Sequence, residues 1–236
     1  MLLFRTVPSD SRQASRPDLV FDGLAGAILD GRYAPGDRLP SQRALAAEFG
    51  VNMASLRAAI DRLAQLRLVE VRHGEPMRVT DWRQAGGVEL LARAAGTDPT
   101  LLIATFEARA ILLREAARLA AARATGAQRD ELQQLAAAFG AATTREDRQQ
   151  IDLAFMAALI DAAGNLVFTL ILNSIRESYL AQRDTYAGLV AAADALAPAY
   201  RAAADAVRNG DGDAAATAID DLCAIQVRGM LEGGAA

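Results

Sequence analysis

The sequence predicts a mainly helical protein of two units: a small N-terminal unit that ends in a β-hairpin, and a larger, all-helical one. The composition is 52% hydrophobic and only 5% aromatic. Such a core must be built from small and aliphatic side chains, which suit close helix packing better than a sheet. Beyond residue 88, every strong apolar pattern has the helical period. The length of 236 residues allows each unit its own core.

The first eighty residues carry the signals of three helices and a hairpin. Apolar residues recur at helical spacing over residues 18–29. Ser41 and Asn52 are side chains that favour helix caps. They predict a short helix to about Glu48 and a longer one to about Leu66, with Gly50 between them. Two β-prone runs, at 68–71 and 77–79, follow with a turn between them. This order predicts a winged helix-turn-helix over residues 1–80.

The rest of the chain predicts a linker and a helical bundle. Residues 81–87 have no periodic pattern and are interpreted as the linker, and residues 88–236 as the all-helical domain. Breaks in the helical pattern, each of which predicts a helix boundary, fall at 96–99, 125–126, Gly140, Gly164-Asn165, the Gly188 region and 209–212, which includes Gly210. The expected helices lie near 88–95, 99–125, 128–139, 146–163, 166–182, 194–209 and 213–231.

Charge and cysteine content narrow the function classes. The formal net charge is −4, but residues 1–80 hold 11 Arg and 9 acidic residues while the remainder holds 14 Arg and 20 acidic residues. A mildly basic N-terminal unit on an acidic body is typical of a protein that binds nucleic acid through one unit only. The single cysteine, Cys223, and the lack of an apolar run of membrane-spanning length predict a cytoplasmic protein with no membrane contact.

The N-terminal pattern resembles a known family. Residues 33–46 read YAPGDRLPSQRALA, and FGVN at 49–52 leads into SLRAAIDRL at 55–63. These residues, within 18–79, resemble the DNA-binding domain of the GntR family of bacterial regulators. The helical remainder resembles the C-terminal bundle of the FadR subfamily. Within this subfamily, the resemblance extends to the fatty-acid-responsive type, FadR. The matching residues are 73–76 with Val79, 86–91, 163–168 with 170–173, Tyr179 and Tyr186.

The resemblance implies which residues contact DNA. A recognition helix enters the major groove while neighbouring groups hold phosphates. Asn52 could serve only as a helix cap, Arg57 could be a solvated charge, and His73 could be an ordinary turn residue. Met53 stands where the family usually has Arg, which predicts an operator that differs from that of FadR or is bound more weakly. The implied DNA-contacting residues are Arg43, Asn52, Met53, Ser55, Arg57, His73 and Gly74.

In many members of the subfamily, the helical domain binds a divalent metal through one Asp and three His. The resemblance places Asp152 at the Asp position, but Met156 and Tyr200 stand at two of the His positions, and Leu222 or Cys223 near the third. Neutral imidazoles cannot be supplied, because no His follows residue 73. We therefore expect no metal and no other cofactor.

The resemblance to FadR implies a small-molecule effector in the helical domain: a fatty acyl-CoA, a fatty acid or another apolar carboxylate. Residues 225–227 do not match the CoA-contacting residues of FadR, which weakens the case for acyl-CoA itself. The alternative for each phenylalanine is plain core packing. The candidate effector-binding residues are Arg109, Phe106, Phe155, Phe168, Tyr179 and Tyr186.

These inferences predict a ligand-responsive repressor of fatty acid metabolism that binds a palindromic double-stranded DNA operator as a homodimer. Two alternatives stay open: a GntR-type regulator of a different small-metabolite pathway, and a regulator without an effector. An enzyme is disfavoured because the helical domain offers no nucleophile with an adjacent base; Cys223 has no evident activator.

Overall fold

The computed structural model describes residues 15–72, 74–90, 99–181, 184 and 186–233. Its contacts divide the chain into two compact units, Met1–Thr97 and Asp98–Ala236. The extents of the DNA-binding domain and of the linker, 1–80 and 81–87, stay predictions.

The first unit has the predicted order of elements. Three helices precede a small antiparallel sheet, in which Val69 lies opposite Val79 and Glu70 opposite Arg78. The chain before α2 joins the same sheet, because the Leu39 amide donates to the Met77 carbonyl at 2.9 Å. The elements are α1 (Arg16–Leu29), α2 (Gln42–Glu48), α3 (Met53–Gln65), β1 (Val69–Glu70), β2 (Arg78–Val79), α4 (Trp82–Ala85) and a 3-10 turn at Val88–Leu90.

A helix packed on a helix forms the core of this unit. The inward face of α3 carries Leu56, Ile60 and Leu63, which are all buried, and α3 packs against both α1 and α2. Their spacing of three and four residues places them on one side of the helix, so the opposite side remains outside the core. Asp18 and Arg62 tie the two helices together through a 2.6 Å ion pair.

The second unit is a helical bundle. α5 packs against α7 and α10, and α9 packs against α6 and α10. Gly164 and Gly210 adopt left-handed backbone conformations, φ 63° and 74°, at the ends of α7 and α9. The elements are α5 (Pro99–Arg123), α6 (Gly126–Ala141), α7 (Arg145–Ala163), α8 (Leu166–Ala181), a 3-10 turn at Ala187–Val190, α9 (Ala193–Asn209) and α10 (Gly212–Gly233).

The predicted fold class is confirmed, and the helix boundaries beyond residue 99 agree within about two residues. The stretch near 88–95 differs from its prediction. Its first residues form a 3-10 turn at Val88–Leu90 rather than an α-helix, and residues 91–98 lie outside the described residues. Within the predicted linker, Asp81 accepts a hydrogen bond from the Arg83 amide at 3.2 Å and so starts the short helix α4.

The core of the bundle is built mostly from small and aliphatic side chains, as the composition predicts. Alanines such as Ala116, Ala120 and Ala203 are completely buried. The largest buried groups are aromatic: the Tyr200 ring lies 4.2 Å from the Phe139 ring and 5.0 Å from the Phe155 ring, centroid to centroid. In the ranges given above, no helix is long and apolar enough to span a membrane.

Candidate DNA-contacting surface and buried polar cluster

The helix-turn-helix is held by two side-chain caps. The Ser41 hydroxyl accepts a hydrogen bond from the Ala44 amide at 3.2 Å and begins α2. Asn52 Oδ1 accepts from the Ser55 amide at 2.8 Å and begins α3. Between the two helices, Gly50 has φ 63°, a left-handed backbone conformation that is unfavourable for residues with a side chain. These local features fix where α3 starts, and therefore which residues its exposed end presents.

The outward face of α3 carries the residues expected to contact DNA. Asn52, Met53 and Arg57 are exposed, and Ser55 is half-buried. Arg43 is exposed on α2, one helix earlier. Because this face lies opposite the buried stripe of α3, it is open to solvent. A major-groove reading helix requires such a face.

The two predicted DNA-contacting arginines differ from others in this unit. Arg32 is paired with Asp30 at 2.9 Å, and Arg72 with Glu70 at 2.9 Å. Within the described part of the chain, Arg43 and Arg57 take part in no such ion pair. No carboxylate among the described residues therefore neutralises their guanidinium groups, which suits them to phosphates or base edges.

The wing lies between β1 and β2. Gly74 is exposed and has φ 78°, which only glycine adopts without strain. The predicted close approach of the wing to DNA requires little bulk at this point, which a residue without a side chain provides. His73, the other predicted wing contact, lies outside the described residues.

The bundle contains a buried polar cluster that joins four helices. We define it by Arg109 of α5, Asp152 of α7, Tyr200 of α9 and Gln226 of α10. The Tyr200 hydroxyl donates to Asp152 Oδ1 at 2.5 Å, and Gln226 Nε2 donates to the same oxygen at 2.8 Å. Arg109 Nη1 donates to Gln226 Oε1 at 2.7 Å, and Arg109 Nη2 lies 3.8 Å from Asp152 Oδ1. Polar groups in such a core are tolerated only when they are hydrogen-bonded.

Arg109 is the member of the cluster nearest to solvent. Its side chain is 18% exposed, whereas that of Asp152 is 4% exposed. Cys223 lies beside it, with Arg109 Nη1 3.8 Å from the sulfur. Burial raises the pKa of the Cys223 thiol, and the Arg109 charge opposes this shift only in part. The thiol is therefore protonated near neutral pH and is a poor nucleophile.

The structure brings some of the predicted effector-binding residues together. Arg109 belongs to the polar cluster, and Phe155 contacts it through the Tyr200 ring. Phe106 and Tyr186 are buried in the same hydrophobic core, and Phe168 is half-buried against it. Desolvation by burial raises the pKa of Tyr186. The side chain of Tyr179 lies outside the described residues.

Sequence reasoning missed Gln226 and gave Tyr200 and Asp152 no role in effector binding. One signal was present: Gln226 follows Leu222 and Cys223 on the buried stripe of α10, and an amide on such a stripe predicts a buried partner. The partner itself was not predictable. Asp152 lies 74 residues away, on another helix.

The buried polar cluster does not fit a metal. Asp152 Oδ1 already accepts hydrogen bonds from a phenol and an amide, and the Arg109 guanidinium supplies a positive charge beside it. Met156 and Cys223 offer a thioether and a protonated thiol in place of imidazoles. Among the described residues, no group of three His, Cys, Asp or Glu side chains could hold a metal ion.

Each of the two units contains a match to a known protein family. Residues 18–79 match the family described as bacterial regulatory proteins, gntR family, and residues 104–224 match the FCD domain. The chain is also 34% identical over 215 residues to the HTH-type transcriptional regulator Mce2R of Mycobacterium tuberculosis, covering 88% of both chains. The chain belongs to the GntR family. This GntR protein is therefore a DNA-binding transcriptional regulator with an FCD domain, and its relatives are regulators rather than enzymes.

Two further likenesses are to a solved structure and to another named regulator. Lar, which controls the agr system of Listeria monocytogenes, has a similar solved structure with a TM-score of 0.61, 18% identity and coverage of 92% of this chain and 97% of that one. That identity shows the shared fold alone. The fatty acid metabolism regulator protein of Shewanella baltica is 32% identical over 76 residues, 32% of each chain.

Proposed function

We propose that this regulator binds a palindromic operator as a homodimer and represses transcription in the cytoplasm until an apolar carboxylate enters its helical unit. The carboxylate end of the effector binds the Arg109 guanidinium, and the apolar chain enters the surrounding core. The observation that carries the proposal is a partly exposed cation whose inner end joins a buried polar cluster in an aliphatic core.

On the DNA side, the proposal uses the exposed face of α3, the exposed side chain of Arg43 and the wing. Arg57 and Arg43 are exposed and form no ion pair with a described carboxylate, which suits them to contacts with phosphates or guanine edges. Asn52 caps α3 with its oxygen, and capping is compatible with groove contact. The proposed DNA-contacting residues are Arg43, Asn52, Met53, Ser55, Arg57, His73 and Gly74.

On the effector side, the buried polar cluster is costly for the stability of the helical unit. Burying a charge in an apolar core is unfavourable unless partners satisfy it, and packing with aliphatic groups would serve stability equally well. Arg109 has the planar fork that matches a carboxylate, and its exposed fraction leaves it within reach of a ligand. The Shewanella baltica relative, named a fatty acid metabolism regulator protein, makes fatty acids and their thioesters the first ligands to try.

Effector control then follows from differential affinity. A ligand lowers operator binding only if it binds more tightly to the state with low DNA affinity. Asp152 holds Arg109 from the inner side, so a carboxylate that binds the guanidinium competes with an existing ion pair. Effector binding and rearrangement of the buried polar cluster are therefore linked.

The test is a thermal-shift panel on the full chain with fatty acids of graded length, their CoA thioesters, and fatty alcohols of the same lengths. An effector stabilises the protein by mass action, by about 2.7 kcal/mol at a hundredfold excess over its Kd. We expect an acid or thioester to raise Tm and to weaken operator binding, while the matched alcohol does neither.

Arg109→Gln should remove the Tm increase and keep basal operator binding. Arg201→Gln, which changes an exposed arginine on α9, is the matched control and should respond like the wild type. A ligand that acts equally on Arg109→Gln, or a panel without any Tm increase, would overturn this effector assignment and leave the regulator of another metabolite, or one without an effector.

A further inference from the structure

The exposed end of α3 is unusually apolar for a surface that meets DNA. Met53, the first residue of the helix, is 36% exposed, and Ala54 and Ala58 are exposed beside it. On the opposite side of the same helix, the apolar side chains are buried. Of the exposed α3 residues from 53 to 58, Arg57 alone is charged.

A methionine side chain at position 53 has few interaction partners among the base edges of the major groove. Methionine offers no strong hydrogen-bond donor, so it cannot read guanine O6 and N7 or the adenine edge. The apolar group that the major groove presents is the C5 methyl of thymine. A flexible thioether side chain fits such a contact well, since it adapts its shape to a small apolar surface.

We propose that Met53 is a specificity-determining residue that selects thymine, through its C5 methyl group, at the base pair facing the start of α3. This inference rests on the proposed DNA-contacting face of α3. Ala54 extends the apolar contact, and Arg57, one turn later, supplies the cation that holds the helix in place. Along this face of α3, Met53 and Ala54 therefore make the apolar contact, and Arg57 makes the charged one.

The expected size of the effect follows from burying one methyl group. Removing that burial lowers affinity roughly fourfold per half-site. A dimer on two half-sites makes this methyl contact twice, so the affinity for the whole operator should fall on the order of tenfold or more.

The experiment begins by selecting an operator for the full chain from random duplexes. Each thymine of the selected half-site is then replaced by deoxyuridine, which lacks only the C5 methyl. We expect one thymine at which this replacement weakens wild-type binding roughly fourfold per half-site. A cytosine at that position should bind weakly, and 5-methylcytosine should recover part of the affinity.

Two variants separate the possible outcomes. Met53→Ala should bring the affinities for the thymine and deoxyuridine operators close together, leaving at most the small contribution of Ala54, whereas Arg57→Gln should weaken both and keep their ratio. If Arg57→Gln weakens binding but no thymine methyl matters to the wild type, the Met53 inference is wrong and the DNA-contacting face stands. If neither variant changes DNA binding, the proposed face of α3 is itself wrong.

Discussion

Asp152 is the residue on which the buried polar cluster converges. Its Oδ1 atom accepts from Tyr200 and Gln226 and lies within ion-pair distance of Arg109. A carboxylate buried in an apolar core has lost its hydration, and hydrogen bonds from several donors compensate for that loss. Removing one donor is therefore strongly destabilising, because the cost of desolvation stays and its compensation does not. Each donor therefore stabilises the protein mainly because it prevents a buried carboxylate from lacking a hydrogen-bond partner.

Tyr200→Phe should destabilise the helical unit by about 1–3 kcal/mol, since it removes one donor and leaves the shape of the side chain intact. Urea denaturation followed by circular dichroism measures the loss. In an Asp152→Asn background the same substitution should cost clearly less, because the acceptor is no longer charged. Equal costs in the two backgrounds would show that the Tyr200 hydroxyl does not act through Asp152.

At the scale of the elements, the sequence predicted helices and their ends better than the contacts between them. Gly50, Gly164 and Gly210 were predicted breaks, and each has a positive φ at a helix boundary. Such breaks are local, so a single sequence reveals them. The buried polar cluster joins α5, α7, α9 and α10, and which positions meet depends on packing that no local pattern encodes.

The contact between the 3-10 turn at Ala187–Val190 and α10 is another feature that local patterns did not predict. A Cβ atom on Gly188 would lie 2.6 Å from the Gly229 carbonyl oxygen and 2.7 Å from Met230 Cα. Both atoms belong to the backbone of α10, which cannot yield as a flexible side chain would. Two glycines, one on each element, therefore allow the turn to lie directly against the helix.

Gly188→Ala should lower the stability of the helical unit by about 1–3 kcal/mol, the usual cost of forcing extra volume into a packed contact. Gly126→Ala is the matched control, because a Cβ atom at this helix start meets nothing within 4 Å. It should be neutral or slightly stabilising. Thermal unfolding of the two variants checks the difference, and equal melting temperatures would contradict the close backbone contact.

For the whole molecule, the net charge of −4 conceals how the charges are distributed. The acidic excess lies after residue 80, while Arg43 and Arg57 are exposed on the DNA-binding unit without ion pairs to the described carboxylates. Binding to DNA depends on cations that reach phosphates rather than on net charge, because each such cation releases condensed counterions. An acidic protein can therefore bind DNA with strong salt dependence.

The salt dependence of operator binding tests this distribution. Arg43→Gln should weaken binding to all DNA sequences by a similar factor, and it should make the slope of log K against log salt shallower by about one for each phosphate that is no longer neutralised. A dimer carries Arg43 twice, so the slope should change by about two. Arg201→Gln removes an equal charge from the helical unit and should leave the slope unchanged. An equal change of slope in both variants would mean that bulk charge governs binding, and an unchanged slope in both would mean that Arg43 does not contact a phosphate.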